Sequence, residues 1–526
     1  MGVYLNPGNE NFKQAINSKI YIDKTGLISC TNEVINTLQK FVCVSRPRRF
    51  GKSMAANMLA AYYDRECDSK ELFTNYKIAQ DKSFQVHLNQ YNVIFLNVQN
   101  ALSRAENMEQ LIEYIQMEIL TEIKEYYQNL IPKTEKFLSA ALEKLYSKSK
   151  EQFIFIIDEW DCIFRNKNFD EDTQTAYLDF LRDLLQDKAY VALAYMTGIL
   201  PIKKYGNHSA LNMFDEFSMT DPGEYAQYIG FTEDEVKTLC MQYNIDFAKT
   251  KERYDGYLFH DSLHIYNPKS VVDSIRRNRF ANYWTQTETY EALRVYIDMN
   301  FDGLKDAVIQ MLAGASIGVN TRTFQNDMST FASKDDVLTL IIHLGYLAYD
   351  MDTKKLSIPN SELQEEFRNA VERCNWKEVV ESIKKSEQLL QATWNMDGTA
   401  VAKYIDQVHC ENIPVLKYND ENSLRCVIAL AYYNAINEYT RIQELPTGKG
   451  FADVVYIPRK HSDKPALVIE LKYDKSAEGA IAQIKNRNYI EALKEYQGNL
   501  LLIGINYDRD TKVHQCLIEK YEKACD

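Results

Sequence analysis

The first 221 residues are constrained most by four short apolar runs that alternate with long helix-favouring stretches. These runs are rich in β-branched and aromatic residues, and each is almost continuously apolar. They are Phe41–Ser45, Val93–Val98, Phe153–Asp158 and Val191–Thr197. Strands covered on both faces, as in a parallel sheet, have this character. Because helical stretches such as Asn107–Leu130 and Asp172–Asp187 separate the runs, the pattern predicts an α/β sandwich.

The first run leads into the loop RPRRFGKS, Arg46–Ser53, and then into the helix-favouring run Met54–Tyr63. A strand, a loop ending in Gly-Lys-Ser and a helix form the context of a P-loop, in which backbone N–H groups surround phosphates. Lys52 is expected to contact the β- and γ-phosphates, and the Ser53 hydroxyl to bind Mg²⁺. The residues expected to bind the nucleotide in this segment are Arg49, Phe50, Gly51, Lys52, Ser53 and Met54.

The arginines of the loop set it apart from the usual pattern. The first glycine of G-x-x-x-x-G-K-[ST] falls on Arg46, and a residue with a Cβ is less free to adopt unusual backbone angles. Arg46, Arg48 and Arg49 have two interpretations, contact with phosphate or contact with an acidic surface elsewhere.

An apolar strand ending in two acids, FIFIIDE, follows at Phe153–Glu159. Asp158 is expected to bind Mg²⁺ directly or through water, and Glu159 to polarise the attacking water. Thr197 ends the next run; it is either a polar contact to the γ-phosphate or a threonine at a strand end. Since both phosphate elements lie in the right order at strand ends, the sequence predicts ATP binding and favours ATP hydrolysis.

From about Pro222 the chain becomes mostly helical. Thr232 and Glu235 have the spacing of a capping box, and Phe231 with Val236 that of a hydrophobic staple. Both motifs predict that a helix begins after Thr232.

A helix, a hairpin and a second helix are predicted further along. The helix is Asp335–Leu344, the hairpin joins Tyr346–Tyr349 to Leu356–Asn360, and the second helix is Ser361–Cys374. This order is that of a winged-helix unit, but it also fits a helical subdomain with a hairpin. The second helix mixes acidic and basic side chains, so protein contact there is as well supported as DNA contact.

A pair of strands near the C-terminus brings acidic and basic groups together. GKGFADVVYIP ends at Pro458 with Asp453 early in its strand, and ALVIELKY, Ala466–Tyr473, carries Glu470 and Lys472 on one face. A hairpin can bring Asp453 beside Glu470. These carboxylates, with the backbone carbonyl of Leu471 as a third ligand, suit Mg²⁺ or Mn²⁺. Lys472 is expected to orient or deprotonate a water and to steady developing phosphate charge.

Several of these motifs together resemble a known family. They are YIDKT (Tyr21–Thr25), RPRRFGKS (Arg46–Ser53), IIDEWD (Ile156–Asp161), TGILPI (Thr197–Ile202) and IPN (Ile358–Asn360). The chain resembles, over essentially its whole length, AAA-ATPase-like proteins common in Bacteroidetes and Clostridia, which usually end in a PD-(D/E)XK nuclease-superfamily domain. The resemblance implies that the arginine-rich P-loop is a family trait and that ATP binding supports the function.

The resemblance also implies roles for residues near the C-terminus. The D…E-x-K arrangement, with Gln483 and Tyr489 on the following helix, is similar to that of RecB-like nucleases. The family's helix glutamate falls on Glu421, with Glu444 as the alternative. Many relatives have arginine where Phe451 stands, which bears on phosphate positioning.

Length, charge and cysteines limit the remaining possibilities. A chain of 526 residues predicts three or four domains. The net charge of −13 argues against a surface coated with basic residues for non-specific nucleic-acid binding. The ten cysteines form no C-x-x-C pair, no signal peptide opens the sequence, and no 18-residue apolar window occurs. We therefore expect a cytoplasmic protein with reduced thiols that does not enter a membrane.

The expected fold class is a multidomain α/β protein. It combines a P-loop, AAA-like α/β sandwich, a helical and winged-helix-like middle region, and a restriction-endonuclease-like PD-(D/E)XK α/β domain. The expected ranges are 1–221 for the ATPase domain, 222–375 for the lid and winged-helix-like region, 376–417 for a helical connector and 418–526 for the nuclease-like domain.

Three functions remain open on these grounds. The first is an ATP-regulated, metal-dependent nuclease acting on DNA or RNA, in a defence or mobile-element setting. The second is a nucleotide-switched protein whose inactive nuclease fold only binds nucleic acid or a protein partner, and the third is a sensor ATPase that forms a homo-oligomer when it detects a partner.

Overall fold

The computed structural model describes most of the chain. The described residues are 2–128, 130–166, 169–202, 211–260, 263–284, 290–299, 301, 303–312, 314–326, 328, 331–373, 377–412, 427–428, 431–433, 435–446, 451–458, 464–486 and 499–521. Side chains are described over the same ranges except at 290–292, 372–384, 410–412, 436–437, 440–446 and 451–453. The chain forms two compact units, residues 1–302 with 318–366, and residues 303–317 with 367–526.

A five-stranded parallel sheet forms the centre of the first unit. Its strands are β1 Phe41–Ser45, β2 Asn92–Asn97, β3 Phe153–Asp158, β4 Val191–Gly198 and β5 Asp215–Phe217. Their order across the sheet is β2-β3-β4-β1-β5, and each neighbouring pair is parallel. Every residue of β1, β3 and β4 is buried, which confirms the expectation of strands covered on both faces.

Helices alternate with these strands as the sequence predicts. The helices of residues 1–221 are Glu10–Ile16, Gly26–Val34, Lys52–Tyr63, Lys70–Phe73, Phe84–His87, Val98–Leu102, Met108–Tyr126, Leu138–Ser149 and Glu171–Leu185, with 3₁₀ turns at Lys77–Gln80 and Trp160–Ile163. The helix Met108–Tyr126 buries the apolar stripe Leu111, Ile115, Ile119 and Ile123. Each such side chain contributes roughly 1.5–3 kcal/mol of transfer free energy. The structure thus has the α/β architecture that the sequence predicts.

The remainder of the first unit is largely helical. It contains β6 Phe231–Thr232, β7 Tyr257–Phe259 and β8 Leu263–Tyr266 in one small antiparallel sheet, a 3₁₀ turn Gly223–Tyr225, and the helices Glu233–Tyr243, Phe247–Tyr254, Pro268–Arg277 and Tyr290–Ile297. The capping box is confirmed, because Thr232 Oγ1 accepts from Glu235 N at 3.4 Å and Glu235 Oε2 accepts from Thr232 N at 2.8 Å. Phe231 packs against the buried cluster that contains Val236.

The helix, hairpin and helix expected after residue 334 are present. The short strand β9 Ile317–Gly318 comes first, and then the helix Lys334–His343, β10 Ala348–Asp350, β11 Lys355–Ser357 and the helix Ser361–Arg373. β10 and β11 pair antiparallel. This order fits both interpretations of the segment, and the winged-helix assignment stays a prediction.

The second unit is built on a mixed five-stranded sheet. Its strands are β12 Tyr439–Pro446, β13 Phe451–Pro458, β14 Ala466–Tyr473, β15 Leu500–Asp508 and β16 Val513–Lys520, and its helices are Leu304–Leu312, Lys377–Trp394, Gly398–Asn412, Ala435–Glu438 and Ala477–Asn486. The sheet has the order β12-β13-β14-β15-β16; only β14 and β15 are parallel. The predicted connector 376–417 supplies two of these helices, and Gly398–Asn412 packs against β16. None of the helices in the described part of the chain combines the length and the hydrophobicity of a membrane-spanning segment.

Candidate functional site

The loop between β1 and the helix Lys52–Tyr63 has the backbone expected of a phosphate cradle. Gly51 caps the helix in the left-handed region with φ 99°, and Arg49 has φ 64°. A Cβ built on Gly51 would meet no atom within 4 Å, so the space beside the loop is open. Since the first amides of a helix have no intrahelical partner, the end of this helix can receive a phosphate.

Lys52 lies under the loop. Its Nζ donates to the carbonyl oxygens of Arg46 and Pro47, both at 2.9 Å, and the residue is 5% exposed. Burial lowers the pKa of Lys52, and the carboxylates of Glu159, Asp161 and Asp158 act in the opposite direction. A phosphate would supply a further negative charge to this ammonium group.

Asp158, at the end of β3, is hydrogen-bonded to other residues that the sequence predicts to bind the nucleotide. Its Oδ2 accepts from Ser53 Oγ at 2.7 Å and from Asn97 Nδ2 at 3.2 Å, and its Oδ1 accepts from Thr197 Oγ1. Asp158 is only 1% exposed, and a buried carboxylate needs such donors. The ends of three adjacent parallel strands and the start of one helix therefore meet at one carboxylate.

Glu159 directly follows Asp158 and has a left-handed backbone with φ 55°. Its Oε2 accepts from Arg165 Nη2, and Arg165 Nε lies 3.1 Å from Asp161 Oδ2. Asp161 also accepts from the backbone N of Ile199 at 3.0 Å and of Leu200 at 2.8 Å.

Three residues of this region were not singled out from the sequence. Asn97 and Asp161 carry a signal that points to them, since each is a polar residue at or just beyond the carboxyl end of an apolar run. Arg165 lies six residues after Glu159 with no pattern that marks it.

Arg46 lies inside the first unit. Its Nη1 donates to the carbonyls of Ser45 at 2.9 Å and Phe217 at 3.0 Å, its guanidinium lies over the ring of Phe259, and its exposure is 0%. Burial lowers its pKa to about 10. Arg48 and Arg49 are exposed, so of the three arginines these two are accessible to phosphate.

An apolar cavity of about 670 Å³ opens beside the loop. The helix and loop side chains Phe50 and Met54 line it together with Tyr21, Ile22 and Phe231. Phe50 is also stacked edge-on against Tyr257, with ring centroids 5.4 Å apart, which fixes this wall of the cavity.

In the second unit, Glu470 contacts two of the other predicted catalytic residues, Lys472 and Gln483. Glu470 Oε1 accepts from Lys472 Nζ at 2.9 Å and from Gln483 Nε2 of the helix Ala477–Asn486. Glu470 is 2% and Lys472 7% exposed. Leu471 is buried and pairs with Ile505 of β15.

The position of Asp453 follows from strand register. β13 and β14 pair Val454 with Ile469 and Val455 with Val468. If this antiparallel register continued by one residue, position 453 would lie opposite Glu470; the placement of Asp453 beside Glu470 stays a prediction. The side chains of Asp453, Phe451 and Glu444 lie outside the described side chains, and Glu421 and Tyr489 lie outside the described residues.

The comparison with protein families matches two separate regions of the chain. Residues 7–206 match the family described as a predicted AAA-ATPase, and residues 419–516 match the PD-(D/E)XK nuclease superfamily. The class defined by fold and motifs is therefore a P-loop protein with an α/β ATPase core. In particular, residues 7–206 are similar to a predicted AAA-ATPase and residues 419–516 to the PD-(D/E)XK nuclease superfamily, which confirms the resemblance seen in the sequence. Domains of these kinds generally use a nucleotide and a divalent metal.

Individual relatives are distant. An uncharacterized protein in the vnfD 5′ region of Azotobacter chroococcum is 22% identical over 525 residues, which span 94% of this chain and 93% of that protein. A Walker-type ATPase of Pyrococcus abyssi is 12% identical with a TM-score of 0.35 and covers 66% of this chain and 94% of its own. The ORC2 protein of Aeropyrum pernix, in ADPNP–ADP complexes, is 12% identical with a TM-score of 0.30 and covers 69% and 98%.

Proposed function

We propose that this protein binds and hydrolyses ATP in its first unit and cleaves DNA or RNA with a metal-dependent site in its second, and that the nucleotide controls cleavage. The observation that supports it best is the meeting of Ser53, Asn97 and Thr197 at the Asp158 carboxylate. Any buried acid needs donors, but here one of them is the hydroxyl of Ser53 in the Gly-Lys-Ser loop, which is the residue expected to bind Mg²⁺.

In the ATPase site each side chain would have a separate role in phosphoryl transfer. Lys52 would exchange its carbonyl partners for the β- and γ-phosphates, and Ser53 and Asp158 would hold Mg²⁺, which neutralises developing phosphate charge. Glu159 would accept a proton from the attacking water, and Thr197 would fix Asp158 through its hydroxyl. The oxygen donors at Asp158 and the open space at Gly51 fit this assignment.

The apolar cavity beside Met54 and Tyr21 is our candidate binding site for the adenine base. Gly51 of the loop lines this cavity, so a nucleoside whose phosphates lay in the loop would have the cavity within reach. Aromatic and sulfur-containing walls suit a flat heterocycle.

In the second unit Asp453 and Glu470 would hold Mg²⁺ or Mn²⁺, and Lys472 would orient the attacking water. Lys472 and Gln483 share one oxygen of Glu470, so the carboxylate is fixed in one orientation. Such fixing by neighbouring groups is typical of metal ligands.

An ATPase assay tests the first half of the proposal. Lys52→Ala and Glu159→Gln are each expected to lower Mg²⁺-dependent ATP turnover by about 10²-fold or more. The exposed Lys82→Ala is the matched control and should hydrolyse ATP at the wild-type rate. Turnover that survives Lys52→Ala would remove this function.

A cleavage panel tests the second half. Wild type, Glu470→Ala, Lys52→Ala and the exposed control Glu478→Ala are given single- and double-stranded DNA and RNA, with Mg²⁺ or Mn²⁺, with and without ATP. Glu470→Ala is expected to lose cleavage by about 100-fold, Glu478→Ala to keep it, and Lys52→Ala to lose its ATP response. ATP-dependent nucleic-acid binding with no cleavage by any variant would instead favour a nucleotide-switched binding protein.

A further inference from the structure

Three side chains that can hold a metal ion lie together in the first unit, away from the nucleotide loop. Glu233 is the first residue of the helix that follows β6, Asp255 directly follows the next helix, and His264 lies in β8. One ligand atom of each, a carboxylate oxygen or a ring nitrogen, lies within 4.8 Å of those of the other two. Three separate elements therefore supply one mixed group of nitrogen and oxygen ligands.

Asp255 is the buried member of this group. Its side chain is 9% exposed, against 21% for Glu233 and 31% for His264. Asp255 Oδ2 lies 2.8 Å from His264 Nδ1, whereas Asp255 Oδ1 is buried and has no partner that meets hydrogen-bond geometry. A buried carboxylate oxygen without a donor is costly, and a cation coordinated by this carboxylate would offset that cost.

The group already attracts a cation of the chain itself. The ammonium group of Lys251 donates to Glu233 Oε2 and lies 3.9 Å from Asp255 Oδ2, so it contacts two of the three potential ligands. Glu233 also receives Lys237 Nζ on Oε1, at 2.8 Å, and the hydroxyl of Tyr266 on Oε2, at 3.4 Å. The Lys251 side chain is 42% exposed, so its ammonium group can move into solvent when a metal ion enters.

The ligand types indicate which ion the group would take. An imidazole nitrogen with two carboxylate oxygens suits Zn²⁺, whereas Mg²⁺ prefers oxygen ligands alone. Three protein ligands leave a fourth position, which a water can fill.

We propose that Glu233, Asp255 and His264 form a Zn²⁺ site, in which the ion displaces the ammonium group of Lys251. The ion would tie β8 to the start of one helix and the end of another. Since β8 pairs with β6 and Phe231 of β6 lines the apolar cavity, the ion would also stabilise that wall of the cavity. The proposal does not depend on ATP hydrolysis or on nucleic-acid cleavage.

Equilibrium dialysis of the metal-free full chain against Zn²⁺ tests the ligand set. His264→Ala is expected to bind about one equivalent less than wild type, or to bind it about 100-fold more weakly; ions held elsewhere in the chain are common to both samples. His260→Ala removes an exposed histidine of the same segment and is the matched control, which should bind as wild type does. Dialysis against Mg²⁺ should show no difference between His264→Ala and wild type.

The competition between Zn²⁺ and Lys251 gives a second prediction. Lys251→Gln removes the ammonium group and keeps all three ligands, so the Zn²⁺ affinity is expected to rise by about 3- to 10-fold. If the group were only a network of ion pairs, this variant would lose stability and gain no affinity for Zn²⁺. Lys249→Gln, at an exposed position of the same helix, is the control and should leave the affinity unchanged.

Hydrogen exchange in the full chain shows where the ion binds. In wild type Zn²⁺ is expected to slow exchange in residues 231–243 and 263–266, because it ties β8 to the helix that follows β6. In His264→Ala the same residues should exchange at equal rates with and without Zn²⁺.

Each outcome decides the proposal. Equal Zn²⁺ binding by wild type and His264→Ala overturns it, and so does a Zn²⁺ affinity of Lys251→Gln that is no higher than that of wild type. If His264→Ala fails to fold, the affinity of Lys251→Gln and the exchange of wild type decide, and protection confined to other segments would exclude this site. None of these results bears on ATP hydrolysis, which Lys52→Ala tests separately.

Discussion

At the scale of single residues, the contacts around Asp158 and Asp161 leave little free volume. Gly198 ends β4, and a Cβ at this position would lie 2.6 Å from Trp160 Nε1 and 2.8 Å from Asp161 Oδ1. Trp160 and Asp161 are both fully buried, so neither can move into solvent. This glycine lets β4 approach the segment that follows β3.

We therefore predict that Gly198→Ala lowers the free energy of unfolding by about 1–3 kcal/mol, as overpacking of a tight core does. Because Thr197 and Ile199 flank this position, nucleotide affinity should fall as well. Urea denaturation and titration with a fluorescent ATP analogue measure the two effects. Gly479→Ala is the control. Its position is exposed, and the nearest atom to the new methyl group belongs to the Ser476 side chain, at 3.2 Å. This variant should change the free energy of unfolding and the nucleotide affinity much less.

Arg46 shows how a P-loop without its first glycine is accommodated. The left-handed backbone angles of this loop occur at Arg49 and Gly51, and Arg46 itself has no positive φ. The missing glycine therefore costs no backbone strain at that position, and the side chain is placed in the interior against Phe217 and Phe259.

At the scale of elements, the helix Ser361–Arg373 is tied to the chain after the helix Pro268–Arg277 by one buried acid. Glu362 Oε1 accepts from the backbone N of Tyr283 at 2.6 Å and of Trp284 at 3.1 Å, and Oε2 accepts from Ser270 Oγ at 2.8 Å. Burial raises the pKa of Glu362 to about 7 from its ordinary 4.5, although these donors act in the opposite direction.

This raised pKa predicts that acid stabilises the first unit. Between pH 4.5 and 7 the folded state holds the Glu362 proton while the unfolded chain has lost it, so stability falls as pH rises through that window and levels above it. The loss is on the order of 2–3 kcal/mol. Urea denaturation from pH 5 to 8, assigned to this unit by hydrogen exchange, should show a weaker pH dependence in Glu362→Gln. The control Glu365→Gln, at a half-exposed acid paired with Arg253, should keep the wild-type slope.

At the scale of the whole molecule, the two units are expected to respond to acid in opposite ways. In the second unit His409 is buried with its ring against those of His514 and Tyr507, at centroid distances of 5.4 and 5.2 Å. Burial lowers its pKa to about 4 from 6.5; the charge of His514 adds to this and that of Asp406 opposes it. His409 is therefore neutral in the folded state at pH values where the unfolded chain is protonated.

The effect of pH on stability has the opposite sign for His409 and for Glu362. The contribution of neutral, buried His409 to the free energy of unfolding is fully present above pH 6.5 and is lost as the pH falls from 6.5 towards 4. This loss of stability is about 1–2 kcal/mol after allowance for solvent screening. His409→Gln should remove this part of the acid sensitivity of the second unit and leave that of the first unchanged. Equal acid sensitivity of the second unit in wild type and variant would contradict this prediction.

The sequence by itself determined the elements and the motifs that depend on neighbours along the chain. The bounds of Phe41–Ser45, Phe153–Asp158 and Ala466–Tyr473 agree with the structure residue for residue, and the Thr232–Glu235 capping box is present. These features are local: continuous apolarity marks a buried strand, and a cap forms within one turn of helix.

Only the tertiary structure decided which elements are neighbours. The insertion of β4 between β1 and β3 brings Thr197 to Asp158, the burial of Arg46 depends on β5 and β7, and the Glu159–Arg165 pair depends on the turn after β3. Apolar periodicity indicates that one face of a helix or strand is buried, but it does not indicate which element packs against that face. Strand order and side-chain partners are set by the packing of the whole core.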